Sequence, residues 1–169
     1  MDEGRPRLTP LVLATMASQA LLVVLSPTIV AIGDDLGAAV GAVGQARSVT
    51  AGVAIATSIA IAGRIDALGV PRLLGLGAAL AIISSAAVAL SPTLVLFLVA
   101  HVLVGLAFAL LLSAGFAGVA AFEPNRRARA LGYVAGANAL AWIVVNPIVG
   151  VMTDSLSWRT LRKHLEPQL

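Results

Sequence analysis

Four polar side chains stand inside long apolar stretches of this sequence: Gln19, His101, Asn138 and Asn146. An unpaired amide or imidazole in such surroundings is costly, so each must bond to a neighbouring element or face a polar cavity. Asn138, Trp142 and Asn146 recur at every fourth position and would form one stripe on a helix. Two amides flanking an indole offer donors and acceptors beside an apolar wall, which suits a cavity for a small solute. The alternative is that each amide bonds across a helix interface, a contact worth ~0.6–2 kcal/mol. For Gln19 the two readings are even; for Asn138 and Asn146 the neighbouring indole favours the cavity. His101 titrates near neutrality and is able to carry a proton, but a lone histidine in such a place is more often an interhelical hydrogen-bonder.

Other chemistry is thin. The carboxylates Asp2, Glu3, Asp34, Asp35, Asp66, Glu123, Asp154 and Glu166 all fall near the ends of apolar runs or outside them. None is placed as a buried proton relay, so a coupling proton would have to use His101 or groups elsewhere. There is no cysteine, and His101 and His164 are too far apart for a metal site. No nucleophile–base grouping, paired carboxylate or phosphate-binding glycine loop points to an enzyme, a metal or a resident cofactor.

The elements that carry these residues must be membrane helices. Hydrophobic residues make up 59% of the chain and charged residues 11%, against ~45–50% and ~25% in soluble domains. Five apolar runs are long enough to cross a bilayer, at 8–32, 46–62, 73–90, 94–122 and 130–152. The fold class expected is all-α, a polytopic helical membrane bundle of about five spans, with the lipid bilayer as first partner. Period-two alternation is absent, which excludes strands. Ser91 and Pro92 suit an N-cap and first helical residue of the fourth span. The first run far exceeds a signal peptide's ~7–15-residue apolar region and is read as a retained span.

Basic residues set the expected orientation. Arg5, Arg7, Arg64, Arg72, Arg126, Arg127 and Arg129 would lie on one side, and Arg47, Arg159, Arg162 and Lys163 on the other. The richer side is the cytoplasmic one, which puts the N-terminus inside the cell at the inner (plasma) membrane. These charges form no dense patch with interleaved aromatics, so nucleic acid is not an expected partner.

The loop after the second run reads Gly63-Arg64-Ile65-Asp66-Ala67-Leu68-Gly69-Val70-Pro71-Arg72. It resembles the loop between the second and third helices of major facilitator superfamily transporters, with Asp66, Gly69 and Arg72 matching and Ala67, Val70 and Pro71 departing. Pro27 to Gly37 is similar to the end of the first helix in the family's drug- and sugar-efflux branches. Arg126 to Gly132 resembles the basic loop before the fifth helix. Asn146-Pro147-Ile148-Val149-Gly150 resembles the antiporter motif of that helix, with Asn146 in place of a glycine. His101 and Gly105 stand where the fourth helix usually has arginine and glycine. Ser157-Trp158-Arg159 looks like the segment before a sixth helix. The matches run in order over about residues 8–160.

The resemblance implies an incomplete N-terminal half of a transporter fold, an efflux-like permease of small solutes. A second half would complete the substrate site. The polar tail at 161–169 is too short to supply the sixth span. The resemblance also implies that Asp66, Gly69 and Arg72 take part in conformational gating; otherwise Asp66 is a solvated loop carboxylate. Pro147 removes an amide donor and, with Gly150, is expected to bend the fifth helix. Gly132 and Gly136 form a small-residue pair expected to seat a neighbouring helix closely. An exposed small and polar face left without an opposing wall would favour self-association. The other function class that remains is a small membrane interaction or assembly protein with no transport activity of its own.

Overall fold

The computed structural model describes residues 7–155, with side chains described through residue 151. The expected motif at Ser157-Trp158-Arg159 and the tail at 161–169 lie outside the described residues. Seven α-helices account for most of that length: α1 (Leu8–Val23), α2 (Leu25–Leu36), α3 (Val40–Ala62), α4 (Ile65–Leu68), α5 (Val70–Ala89), α6 (Leu94–Ala117) and α7 (Pro124–Ser155). A 3₁₀ turn, Gly118–Ala121, closes α6.

α1 and α2 are two parts of one rod of 29 residues, Leu8–Leu36. The break between them falls at Val24, three residues before Pro27. Pro27 has no amide hydrogen to give the carbonyl of Val23, so the helical ladder loses a rung there. The Thr28 hydroxyl donates to the neighbouring carbonyl of Val24 at 2.7 Å. α2 stops at Gly37, whose φ of 59° and ψ of 35° place it in the left-handed region. The amide of Ala38 then donates to the carbonyl of Gly33 at 2.9 Å, a glycine-terminated cap that turns the chain back into α3.

The second span begins earlier than the sequence pattern places it. α3 starts at Val40, and its buried residues Val43, Ala46, Thr50 and Ala54 follow a helical spacing. Arg47 is therefore two turns inside a helix rather than at its end. Four helical segments among the described residues are long and apolar enough to cross a membrane: Leu8–Leu36, Val70–Ala89, Leu94–Ala121 and Pro124–Val151. α3 has the length, at 23 residues, but Gln45, Arg47, Ser48 and Thr50 dilute its apolarity. It is a long helix of different composition from the other four.

The start of α6 also differs from expectation. Its N-cap is Thr93, whose hydroxyl accepts from the amide of Leu96 at 3.4 Å. Ser91 belongs to the preceding end, donating to the carbonyl of Ala87 at 2.6 Å. Pro92 forces the residue before it out of helical geometry, so the new helix starts only beyond it.

α6 is the centre of the bundle, flanked by α1, α3 and α5, while α7 packs mainly on α1. Glycines allow the close approaches. A Cβ on Gly105 would lie 2.7 Å from the carbonyl oxygen of Thr50, and one on Gly77 would lie 2.8 Å from Leu111. Gly115 and Gly118 face Thr15 and Leu11 of α1 in the same way. By contrast, a Cβ on Gly132, Gly136 or Gly150 would meet nothing within 4 Å. The close contact expected at Gly132 and Gly136 is thus absent among the described residues, because that face of α7 points away from the bundle. α7 runs through Pro147 as one continuous helix.

Two apolar clusters tie the rods at opposite ends. Leu25, Ile32, Val43, Ala46 and Phe97 form one, where α2 turns into α3. Leu11, Val119, Ala130 and Val134 form the other, with Val70 and Leu74 packed against it. The second end carries Arg7, Arg64, Arg72, Arg126, Arg127 and Arg129 on neighbouring segments, all exposed.

Candidate functional site

The α1–α7 contact brings two of the intramembrane polar residues together. The indole Nε1–H of Trp142 donates to Oε1 of Gln19 at 3.0 Å. Gln19 is only 7% exposed, and Trp142 is 40% exposed, so the indole has one edge in the contact and one face open. One helical turn away, Asn138 presents a buried Oδ1 with no hydrogen-bond partner among the described residues. Asn146 lies one turn beyond Trp142 on the other side and is half-buried. The stripe expected on one helix face is therefore met from α1 by a single amide, Gln19.

A buried carbonyl oxygen without a donor is uncommon and calls for a water, an ion or a ligand group. Its neighbours make the place suited to a small molecule with an N–H or O–H group: an indole face for apolar area, and amides for orientation.

His101 does not join this stripe. Its Nδ1 lies 2.8 Å from the carbonyl oxygen of Phe97, one turn earlier on α6. The two rings pack with centroids 4.4 Å apart. The backbone carbonyl of His101 accepts from the Thr50 hydroxyl of α3 at 3.4 Å. No hydrogen bond joins its ring to Gln19, Asn138, Trp142 or Asn146 among the described residues.

The loop residues Asp66, Gly69 and Arg72 surround the four-residue helix α4. Asp66 is exposed in its first turn. Gly69 has φ 78° and ψ 137°, a backbone shape that side-chain-bearing residues rarely adopt, so the sequence has a glycine where the turn demands one. Arg72 is exposed in the first turn of α5. Asp66 forms no ion pair with Arg64 or Arg72 among the described residues.

One polar pair escaped the sequence reading. Arg47 of α3 donates from Nη2 to the hydroxyl of Ser26 on α2. Extending the second span back along the spacing of Val43, Ala46 and Thr50 would have placed Arg47 within the helix, but not its partner.

Four long apolar helices among the described residues, with polar side chains meeting between the first and the last of them, define a multi-pass membrane protein. The comparisons give the family. The profile of the Major Facilitator Superfamily matches residues 11–161, and the chain belongs to that superfamily. It is also similar to the "Transcription regulatory protein OpdE" of Pseudomonas aeruginosa, with 34% identity over 149 residues, 86% of this chain. The match covers 36% of that protein's length. No solved structure matches the chain.

Proposed function

We propose that this chain forms the N-terminal part of a secondary transporter that moves a small solute across the cell inner (plasma) membrane in the efflux direction. The observation that carries the reading is the buried Oδ1 of Asn138, without a hydrogen-bond partner among the described residues, beside the Gln19–Trp142 pair. In this reading Asn138, Trp142, Asn146 and Gln19 form one wall of the solute site near the bilayer midplane, where transporters of inverted-repeat design bind substrate. A second bundle supplies the opposite wall and covers the open face of α7. The loop of Asp66, Gly69 and Arg72 acts as the gate at the basic, cytoplasmic end, with the N-terminus on the same side. His101 is the titratable group of the described helix interiors that a coupling proton would use.

The test is accumulation of labelled cationic drugs, sugars and organic acids by cells expressing the protein in its native gene context. Asn138→Leu is expected to abolish saturable movement of the transported solute, and Asp66→Asn to slow it without changing which solute is moved. Unchanged transport in Asn138→Leu would remove the site from the proposal.

A second reading is a membrane component that signals or assembles without moving a solute. The regulatory name of its Pseudomonas relative favours it. Under that reading no member of the panel is moved, and the open face of α7 serves a protein partner or a second copy.

A further inference from the structure

We infer that Arg47 and Ser26 form an anion-recognising subsite, so that the solute taken by this bundle carries a carboxylate or phosphate group. The inference rests on the transporter reading above and names its substrate class.

The depth of the pair is the first argument. Gly33 faces Val40, and Gly44 faces Ile29, so α2 and α3 run antiparallel in a register that sets Ser26 level with Arg47. Ser26 lies four residues past the middle of the Leu8–Leu36 rod, about 6 Å along its axis. With the rod centred on a hydrocarbon core ~30 Å thick, the pair would stand inside it rather than at the headgroups.

The direction of the side chain is the second. An arginine that only marks topology extends its guanidinium toward the nearer interface. Here the guanidinium reaches sideways to a hydroxyl at its own level. Asp34 and Asp35 are eight and nine residues further along α2, about 12–13 Å along the helix. Ser26 is neutral and leaves the charge intact. Both residues are exposed, and a charge at this depth must face a water-filled cavity or the protein interior, not lipid.

The third argument is position. Ser26 is seven residues beyond Gln19 on the Leu8–Leu36 rod, about 10 Å further along its axis. α2 also packs against α7. Along the rod the Gln19–Trp142 pair comes first and the Ser26–Arg47 pair follows, with α7 packed beside both α1 and α2. The amides hold the body of a solute, and the guanidinium offers its donors to the anionic group. A bidentate match to carboxylate or phosphate is what this side chain does best.

The test uses the fluorescence of Trp142 in the full chain carrying Trp158→Phe, reconstituted in nanodiscs at constant ionic strength. Iodide and caesium serve as anionic and cationic quenchers. Each quenching constant is divided by that for free N-acetyltryptophanamide, since iodide quenches indole more efficiently than caesium. Arg47 concentrates anions nearby, so the normalised constant for iodide is expected to exceed that for caesium by at least about threefold. Arg47→Lys should keep the preference and Arg47→Gln should lose it. In the unaltered site, acetate or inorganic phosphate should suppress the iodide effect, and the stronger of the two identifies the preferred group. Equal normalised quenching by both ions overturns the inference, as would follow if a carboxylate elsewhere in the protein neutralised Arg47. So does a preference that survives Arg47→Gln, or a tryptophan that neither ion reaches. None of these readouts requires transport, so failure here leaves the Asn138 site standing, and failure of the transport test leaves the anion preference measurable.

Discussion

Trp142 and Gln19 are 123 residues apart in the chain, yet the indole N–H of one lies 3.0 Å from the amide oxygen of the other. This bond is a polar tie between α1 and α7. Removing one partner from this part-buried pair leaves the other without its bond, at a cost of up to ~1–3 kcal/mol. Gln19→Leu and Trp142→Phe should each lower the unfolding temperature in detergent. The double variant should lose less than the two losses summed, with a coupling of ~0.6–2 kcal/mol. Strict additivity would mean that the bond carries no stability.

The glycines of the bundle divide into those that seat a helix and those that do not. Gly105 has the carbonyl of Thr50 where a side chain would go, whereas Gly136 faces open space. Gly105→Leu should force α3 and α6 apart and cost ~1–3 kcal/mol or more. Gly136→Leu should leave the melting temperature of this chain within error of the parent. A reversed order would mean that α7 turns its other face to the bundle.

Backbone shape makes a separate demand at Gly69. Its φ of 78° is open to glycine and strained for any residue with a Cβ. Gly69→Ala should destabilise the α4–α5 turn by about 1–3 kcal/mol. Hydrogen exchange is the suitable measurement: amides of the turn and of the first turn of α5 should exchange faster, while α6 stays protected.

Orientation is open to a direct check. The end that carries Arg7, Arg64, Arg72, Arg126, Arg127 and Arg129 is expected on the cytoplasmic side. An alkaline phosphatase fusion after Asn125 should be inactive, and one after Ala38 should be active. Replacing Arg126, Arg127 and Arg129 with alanine should raise activity at Asn125. An active fusion after Asn125 in the parent would invert the arrangement.

What the sequence by itself determined is the segmentation of the chain. Long apolar runs with few charges specify helices in lipid, because the backbone must satisfy its own hydrogen bonds there. The polar breaks at Gly63 to Arg72 and at Glu123 to Arg127 are legible for the same reason, and the one read at Gly33 to Asp35 falls slightly further on, at Gly37, where α2 stops. The amide stripe on α7 could be read from its spacing alone. Which partner each polar group would meet, and which face of each helix would be buried, was decided only in three dimensions. In water a helix advertises its buried face by contrast with a charged one. α6 is apolar all round, and lipid is as apolar as a neighbouring helix, so composition does not distinguish the two. Gly132 and Gly136 therefore looked like packing residues and meet nothing within 4 Å among the described residues, while Gly105, Gly77, Gly115 and Gly118 each seat a neighbouring helix. The same loss of contrast hid the first turns of α3, whose mixed composition blurred its start. Only the register of α2 against α3 set Arg47 beside Ser26, because a charge inside a span gains its meaning from the face it is turned to.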